Sequence, residues 1–542
     1  MKYNRPLFVL CVSLVYFLLY STSVVINRFQ IFKEYYPALK DEQITYLILH
    51  ILESYQIAFA VIFLLTINRL IFLIFTPLLF VISAIAAYFI SKFKVVISTR
   101  SISVLFEGTQ NEIASVISLN LILWTLLAIF IGIKIAVLFY KKDHKDEQKN
   151  RNLMFSFFAG VYVVSTFSTY TTDFNHQPSQ MPYNYIKSTV QYFSQKKNKL
   201  PKTDISDVPA FYKEEEPLTV VFIIGESARG DHFGINGYER DTTPNLRKVQ
   251  NLINFGEVNS CDNLTGISVP CMLTRSTSNK KVHETTLVSV YKKLGFKTIW
   301  LDVQNISASF HETDIQDILK EVELVEVFGN NAPEIDSVSL PAIDKVLDSY
   351  KGNLFLIIHS SGNHWNYDHK YENSFKKWYP TCSDGNTDSD NSLPKRACKH
   401  IPFLNGCEKV NDMSSCGIER LTNSYDNSIL HTDYFISEII NKLNDRRSIV
   451  LYSSDHGESL GEDGYFFHGQ YRKEGIIRPE QYNVPMLMWF SDSLIEDNPE
   501  KYRNIMTEVG KEHGHDIIFH SLLDCSGIKS DLIDRSLSVC NN

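Results

Sequence analysis

The chain has 542 residues, 44% of them hydrophobic and 21% charged, with a formal net charge of -8. That length exceeds what one ordinary core organises, and the negative balance excludes the basic footprint of a nucleic-acid-binding protein. A mean hydropathy of -0.10 hides a segregated chain, because the long apolar runs all precede Thr171.

Runs near the ~20 residues needed to cross a bilayer occur at Leu7 to Ile26, Ile44 to Ile67, Leu70 to Ile90, Ile117 to Tyr140 and Met154 to Tyr170. A transmembrane domain of five helices is therefore expected over residues 1–170. The first run is longer than a signal-peptide core, and no small-residue cleavage site follows in "NRFQIFKEYYP". An odd number of spans puts the two ends of the chain on opposite sides. The five basic residues of "KKDHKDEQKNR", with Lys2 and Arg5, place that loop and the N-terminus in the cytoplasm, so the C-terminal part faces outward. His50 and Glu53 in the second run read equally as headgroup contacts and as a pair that snorkels or bonds between helices.

A linker rich in charge and proline is expected over 171–217, and a globular domain over 218–542. In that domain the runs "LTVVFIIGES", "GFKTIWLD", "NLFLIIHSSGNH", "RSIVLYSSDHGES" and "VPMLMWFS" read as buried parallel strands alternating with helices, an α/β sheet covered on both faces. Eight of the nine cysteines lie here: Cys261, Cys271, Cys382, Cys398, Cys407, Cys416, Cys525 and Cys540. An even number suits pairing in an oxidising compartment. Connectivity stays open, with Cys261–Cys271, Cys398–Cys407 and Cys382–Cys416 as the preferred pairs.

Three strands end in groups able to hold a metal or a phosphate: Glu226 and Ser227, then His359 and His364, then Asp455, His456 and Glu458. Ligand sites of open α/β sheets gather at the carboxyl ends of strands. One such ending is commonly a cap or a turn; three point to a site. Glu226, Asp455 and His456 supply two carboxylates and an imidazole, which suits catalytic zinc with one position open. Thr265, in "SCDNLTGISVPCM", belongs at that position, because a dication can lower the pKa of a hydroxyl that is otherwise a poor nucleophile. A helix beginning near Ile267 would add backbone N–H groups beside it. Taken alone, this segment reads rather as an ordinary helix cap.

The segments "GESARGDHFGINGYERDTTPNL", "SCDNLTGISVPCM", "HSSGNH", "SYDNS" and "SDHGESLGEDGYFFHG" closely resemble the bacterial lipid A phosphoethanolamine transferases of the alkaline phosphatase and sulfatase superfamily. That family joins five spans to a periplasmic α/β catalytic domain, so the resemblance covers nearly the whole chain and implies a multi-pass protein of the bacterial inner membrane. It implies Thr265 as a nucleophile that becomes phosphoethanolamine-modified and as a metal ligand, with Glu226, Asp455 and His456 as the other zinc ligands. His364 and His468 match histidines beside the metal that bind phosphate oxygens, protonate a leaving group or hold a second zinc. Cys261 and Cys271 match a disulfide bracketing the nucleophile. The implied partners are phosphatidylethanolamine as donor and lipid A or the lipopolysaccharide core as acceptor, with resistance to polymyxin-type cationic peptides as the consequence if lipid A is modified.

Departures from the family pattern fall on substrate contacts. "VLFEGTQNEIAS" offers Thr109 and Glu112 at a shifted spacing, and only Glu112 is carried over. After "IWLDVQNIS" an expected lysine is missing, although Asn305 and Ser307 fit the preceding positions. The insertion from Cys382 to Cys416 is longer than usual. A sulfatase would carry an arginine after its Cys- or Ser-x-Pro-x nucleophile motif, where this chain has Met272. A membrane-anchored phosphoglycerol transferase is the leading enzymatic alternative, and a zinc-holding sensor without turnover is the non-enzymatic one.

Overall fold

The computed structural model describes residues 5–26, 29, 41–93, 97–107, 117–141, 181–197, 201–305, 314–328, 335–384, 416–469 and 478–541. It divides into two compact units, Met1–Val104 with Ile117–Asn198, and Leu105–Val116 with Lys199–Asn542.

In the first unit, three helical stretches among the described residues are long and apolar enough to cross a membrane: Leu7–Ile26, Arg69–Phe93 and Leu119–Tyr140. The second expected span falls in the Asp41–Leu65 helix, whose apolar part, His50–Leu65, is shorter than a span. The fifth, Met154 to Tyr170, lies outside the described residues. The count of five therefore stays an expectation. The Arg69–Phe93 and Leu119–Tyr140 helices meet closely, since a Cβ on Gly132 would stand 2.8 Å from Pro77 Cα. Small residues at such contacts let helix backbones approach where lipid supplies no hydrophobic drive. Phe72 and Phe139 pack beside this contact, with ring centroids 4.3 Å apart. Leu126, Phe130 and Ile133 stay about half exposed on the outer face, as a lipid-facing stripe would be.

The second unit is built on a seven-stranded sheet. The strands of this unit, those of the large sheet and of two short pairs numbered together in chain order, are β1 (Ala210–Phe211), β2 (Thr219–Gly225), β3 (Leu252–Asn259), β4 (Lys297–Asp302), β5 (Leu324–Val327), β6 (Leu354–His359), β7 (Ser448–Ser454), β8 (Ser459–Leu460), β9 (Phe466–Phe467), β10 (Asn483–Phe490) and β11 (Lys529–Ser530). The large sheet runs β3-β10-β7-β2-β6-β4-β5. β2, β4, β5, β6 and β7 are parallel, whereas β10 pairs antiparallel with both β7 and β3. The expected all-parallel sheet is thus corrected at one edge: hydropathy reports burial but not strand direction.

Every residue of β2, β6 and β7 is buried, because helices cover both faces of these strands. Alternate side chains feed two cores. Phe222, Ile224, Trp300 and Phe355 face one side with Val269, Met272 and Leu522, while Val221, Ile223, Leu301 and Leu356 face the other with Tyr425, Ile429 and Ile436.

Disulfides join Cys261–Cys271, Cys382–Cys416 and Cys525–Cys540. The first two are preferred pairs; Cys398 and Cys407 lie outside the described residues. Closing sequence separations of 15 and 34 constrains the unfolded chain by about 3 to 4 kcal/mol per bridge in the loop-entropy treatment.

Candidate active site

β2 ends in Gly225 and hands over to Glu226, which is fully buried. Ser227 follows with φ of 56°, a left-handed conformation that costs a non-glycine residue free energy and needs bracing. Tyr425, on the Ile418–Lys442 helix, supplies the brace: its hydroxyl donates to Ser227 O at 2.6 Å and accepts from Arg229 N at 2.9 Å. The "SYDNS" segment therefore acts on the site from the second core. β7 ends beside it, with Asp455 N donating to Gly225 O at 2.9 Å.

Thr265 is the first residue of the Thr265–Met272 helix, and the cap position belongs to Leu264, whose side chain makes no cap bond. The helix starts two residues earlier than expected, and Thr265 is not its cap. Its Oγ1 instead donates toward Glu226 Oε2 at 3.1 Å and stands 3.2 Å from His456 Nε2. Ile267, Pro270, Cys271 and Thr274 line a cavity of about 270 Å³ on the reverse face of the helix, so that cavity is not the cleft Thr265 faces.

The His456 ring is oriented by its backbone. Nδ1 donates to Gly457 O at 2.8 Å, and since a carbonyl only accepts, Nε2 keeps its lone pair for the cluster. Asp455 Oδ1 accepts from His456 N at 2.7 Å and Ser227 N at 3.3 Å. Its Oδ2 is buried without a hydrogen-bond partner, 3.4 Å from His456 Nε2. Burial and then the Glu226 carboxylate push Asp455 well above its usual range. Burial acts on Glu226 in the same sense, yet the facing His456, His364 and His468 carry it well below. Two buried carboxylates, one of them with an unsatisfied oxygen, are what a divalent cation would reconcile. Ligand atoms of Glu226, His456 and His468 lie within 4.8 Å of one another, a second indication that a cation fits.

His468 follows the β8–β9 hairpin and turns Nδ1 toward Glu458 Oε2 at 3.3 Å. Burial pushes Glu458 up to about 8, with His456 and His364 opposing. His364, in the turn after β6, donates from Nδ1 to Trp365 O at 2.7 Å, which leaves Nε2 as the nitrogen that can take or give a proton. The His364 and His468 rings are 5.9 Å apart. The turn is seated on the Glu226 backbone: Asn363 N donates to Glu226 O at 2.8 Å, and a Cβ on Gly362 would stand 2.7 Å from the same oxygen.

The six residues Glu226, Thr265, His364, Asp455, His456 and His468 thus gather from four distant stretches of sequence. Of the expected substrate contacts, Glu112 and Ser307 lie outside the described residues. Asn305 occupies a left-handed turn at φ of 60°, and its neighbour Gln304 reaches the cluster, donating from Nε2 to Glu226 Oε2 at 2.7 Å. Sequence reading missed Gln304; its place two residues beyond the C-terminal end of β4 was the available signal. Glu458 was noted at its strand end but given no role.

The family model described as Sulfatase matches residues 218–528, and the model for phosphoethanolamine transferase EptA/EptB matches 56–197. A Kdo(2)-lipid A phosphoethanolamine 7''-transferase of Escherichia coli K12 is 31% identical over 336 residues, 60% of this chain and 54% of that protein. The match therefore spans about half the length of that curated relative. The structure of the integral membrane lipooligosaccharide phosphoethanolamine transferase A of Neisseria meningitidis superposes with a TM-score of 0.82 at 23% identity, covering 99% of both chains. The zinc complex of the C-terminal periplasmic domain of EptC from Escherichia coli superposes with a TM-score of 0.50 at 23% identity, covering 63% of this chain and 90% of that one.

Proposed function

Because this chain belongs to the sulfatase family, among the bacterial lipid A phosphoethanolamine transferases, we propose that it moves phosphoethanolamine from phosphatidylethanolamine to lipid A or another lipopolysaccharide acceptor through a phosphothreonine at Thr265. The observation that carries this reading is the position of Thr265 Oγ1, 3.1 Å from Glu226 and 3.2 Å from His456 at the start of a half-buried helix. Such a hydroxyl caps nothing and faces a cluster suited to activate it.

Glu226, Thr265, Asp455 and His456 are the residues that would hold zinc, whose charge would make the hydroxyl more acidic and stabilise the charge growing on the phosphoryl oxygens. In the first half-reaction Thr265 Oγ1 loses its proton to solvent and bonds to phosphorus as the bond to the diacylglycerol oxygen breaks. That oxygen needs a proton, which His364 or His468 is placed to give from the rim of the cluster. In the second, a phosphate or sugar hydroxyl of the acceptor bonds to phosphorus and Thr265 is released. Glu112, Asn305 and Ser307 are proposed to contact substrate. Both substrates are lipids, which gives the apolar helices their purpose. We place five spans in 1–170, a linker in 171–217 and the catalytic domain, 218–542, in the periplasm against the outer leaflet of the inner membrane.

Full-length protein incubated with zinc and phosphatidylethanolamine, without acceptor, should gain one phosphoethanolamine on Thr265 and release diacylglycerol, read by peptide mass spectrometry. An unmodified Thr265 in folded, zinc-loaded protein would overturn the donor assignment, and a glycerophosphate adduct formed from phosphatidylglycerol would favour the phosphoglycerol transferase instead. Lipid A mass spectra from cells lacking the protein test the acceptor.

Gln304 orients Glu226, whose other oxygen, Oε1, accepts from Ser227 Oγ at 2.7 Å. Partners of this kind fix a ligand's rotamer, and their loss weakens metal binding about 10- to 100-fold. Gln304→Leu should therefore lower zinc affinity by that factor in a chelator competition, with the fold unchanged by circular dichroism.

A further inference from the structure

His515 stands outside the donor cluster, just before the Asp516–Cys525 helix, and is 1% exposed. Its ring meets three residues on two segments that reach the site. Cys261 N donates to Nδ1 at 3.3 Å, the Ser268 hydroxyl stands 3.2 Å from the same nitrogen, and Nε2 is 3.2 Å from Ser453 Oγ. A backbone N–H can only donate, so Nδ1 is the acceptor and Nε2 carries its proton toward Ser453. Burial pushes the imidazole down to about 3, which keeps it neutral.

Ser268 lies three residues after Thr265 and so on the same face of the helix. Its hydroxyl gives its one proton to the backbone oxygen of Asp455 at 2.6 Å, which couples the nucleophile's helix to the strand end carrying Asp455 and His456. Cys261 anchors the other end of this segment, through its bridge to Cys271. The backbone at His515 is held in turn, with its N donating to Asn259 O at 3.0 Å.

We propose that His515 is a positioning residue for transfer: its Nδ1 pins Cys261 N while its ring abuts Ser268, and the Cys261–Cys271 segment so seated holds Thr265 Oγ1 against Glu226 and His456. The proposal rests on Thr265 as nucleophile. It also makes a distinction that core packing does not, because an asparagine amide falls near the place of Nδ1 and a glutamine amide near that of Nε2.

The test uses full-length wild type, His515→Ala, His515→Asn and His515→Gln with phosphatidylethanolamine and zinc. It reads the single-turnover rate of Thr265 modification beside zinc affinity and Tm. A displacement near 1 Å can cost about 100-fold in rate, so His515→Ala should slow modification by roughly 30- to 100-fold in zinc-saturated protein. His515→Asn should recover most of the rate, and His515→Gln should stay as slow as alanine. Equal rates in all four proteins, recovery by glutamine as good as by asparagine, or rates that merely follow Tm would overturn the proposal. A wild type that forms no adduct would remove the Thr265 reading itself, and is seen before any variant is compared.

Discussion

Thr265→Ala will form no phosphoethanolamine adduct, and its transfer to acceptor will fall by on the order of 10⁴-fold or more, as expected when the group that bonds to phosphorus is removed. Thr265→Ser should keep a measurable fraction, since it retains the hydroxyl and loses only the methyl group that restricts its rotamers. The contrast matters because the alternative role for Thr265 is structural. Leu264 occupies the cap position and Thr265 Oγ1 points at Glu226 and His456, so the alanine variant should lose little helix stability. Adduct formation, transfer to a lipopolysaccharide acceptor and Tm should be followed on the same preparations. An alanine variant that still transfers would end the covalent mechanism. One whose rate and Tm fall together would return Thr265 to the scaffold.

The polar strand ends were legible because each interrupts an apolar run with groups such a run does not tolerate. Glu226 after "FIIG" and Asp455 with His456 after "LYSS" are polar residues at places where burial is costly without a partner. β3 and β5 were not legible: only part of β3 is buried and no residue of β5 is fully so, and such an edge strand lacks the continuous run that marked β2 or β7. The direction of β10 was hidden too, as hydropathy is the same read from either end. His515 and Gln304 escaped for another reason, since their value lies in partners far away in sequence: His515 touches Cys261, Ser268 and Ser453, and Gln304 touches Glu226. No local pattern announces the contacts of His515, and Gln304 offered only its place just beyond the end of β4. The resemblance of the five quoted motifs supplied what spacing could not, namely that Thr265 faces the acidic strand ends.

Asp455→Asn should separate metal binding from folding by moving them in opposite directions. The substitution keeps an Oδ1 able to accept from Ser227 N and His456 N, and it removes a charge from Oδ2, the buried oxygen without a hydrogen bond. Affinity should fall, because a protein-bound zinc is worth about 10–16 kcal/mol and an even share among four ligands is roughly 3 kcal/mol, or about 100-fold. Stability of the metal-free protein should rise. Burial and Glu226 hold the Asp455 carboxyl above its unfolded pKa, so above that unfolded value the fold bears a penalty that grows as pH climbs toward the folded one. Asparagine cannot ionise and escapes it, by on the order of 1 kcal/mol or a few degrees in Tm. Chelator competition gives the first quantity, and melting with and without a chelator at neutral pH gives the second. If the variant binds zinc as tightly as wild type, Asp455 is not a ligand; if its metal-free form melts lower, the two carboxylates are not in conflict and the case for a cation between them fails.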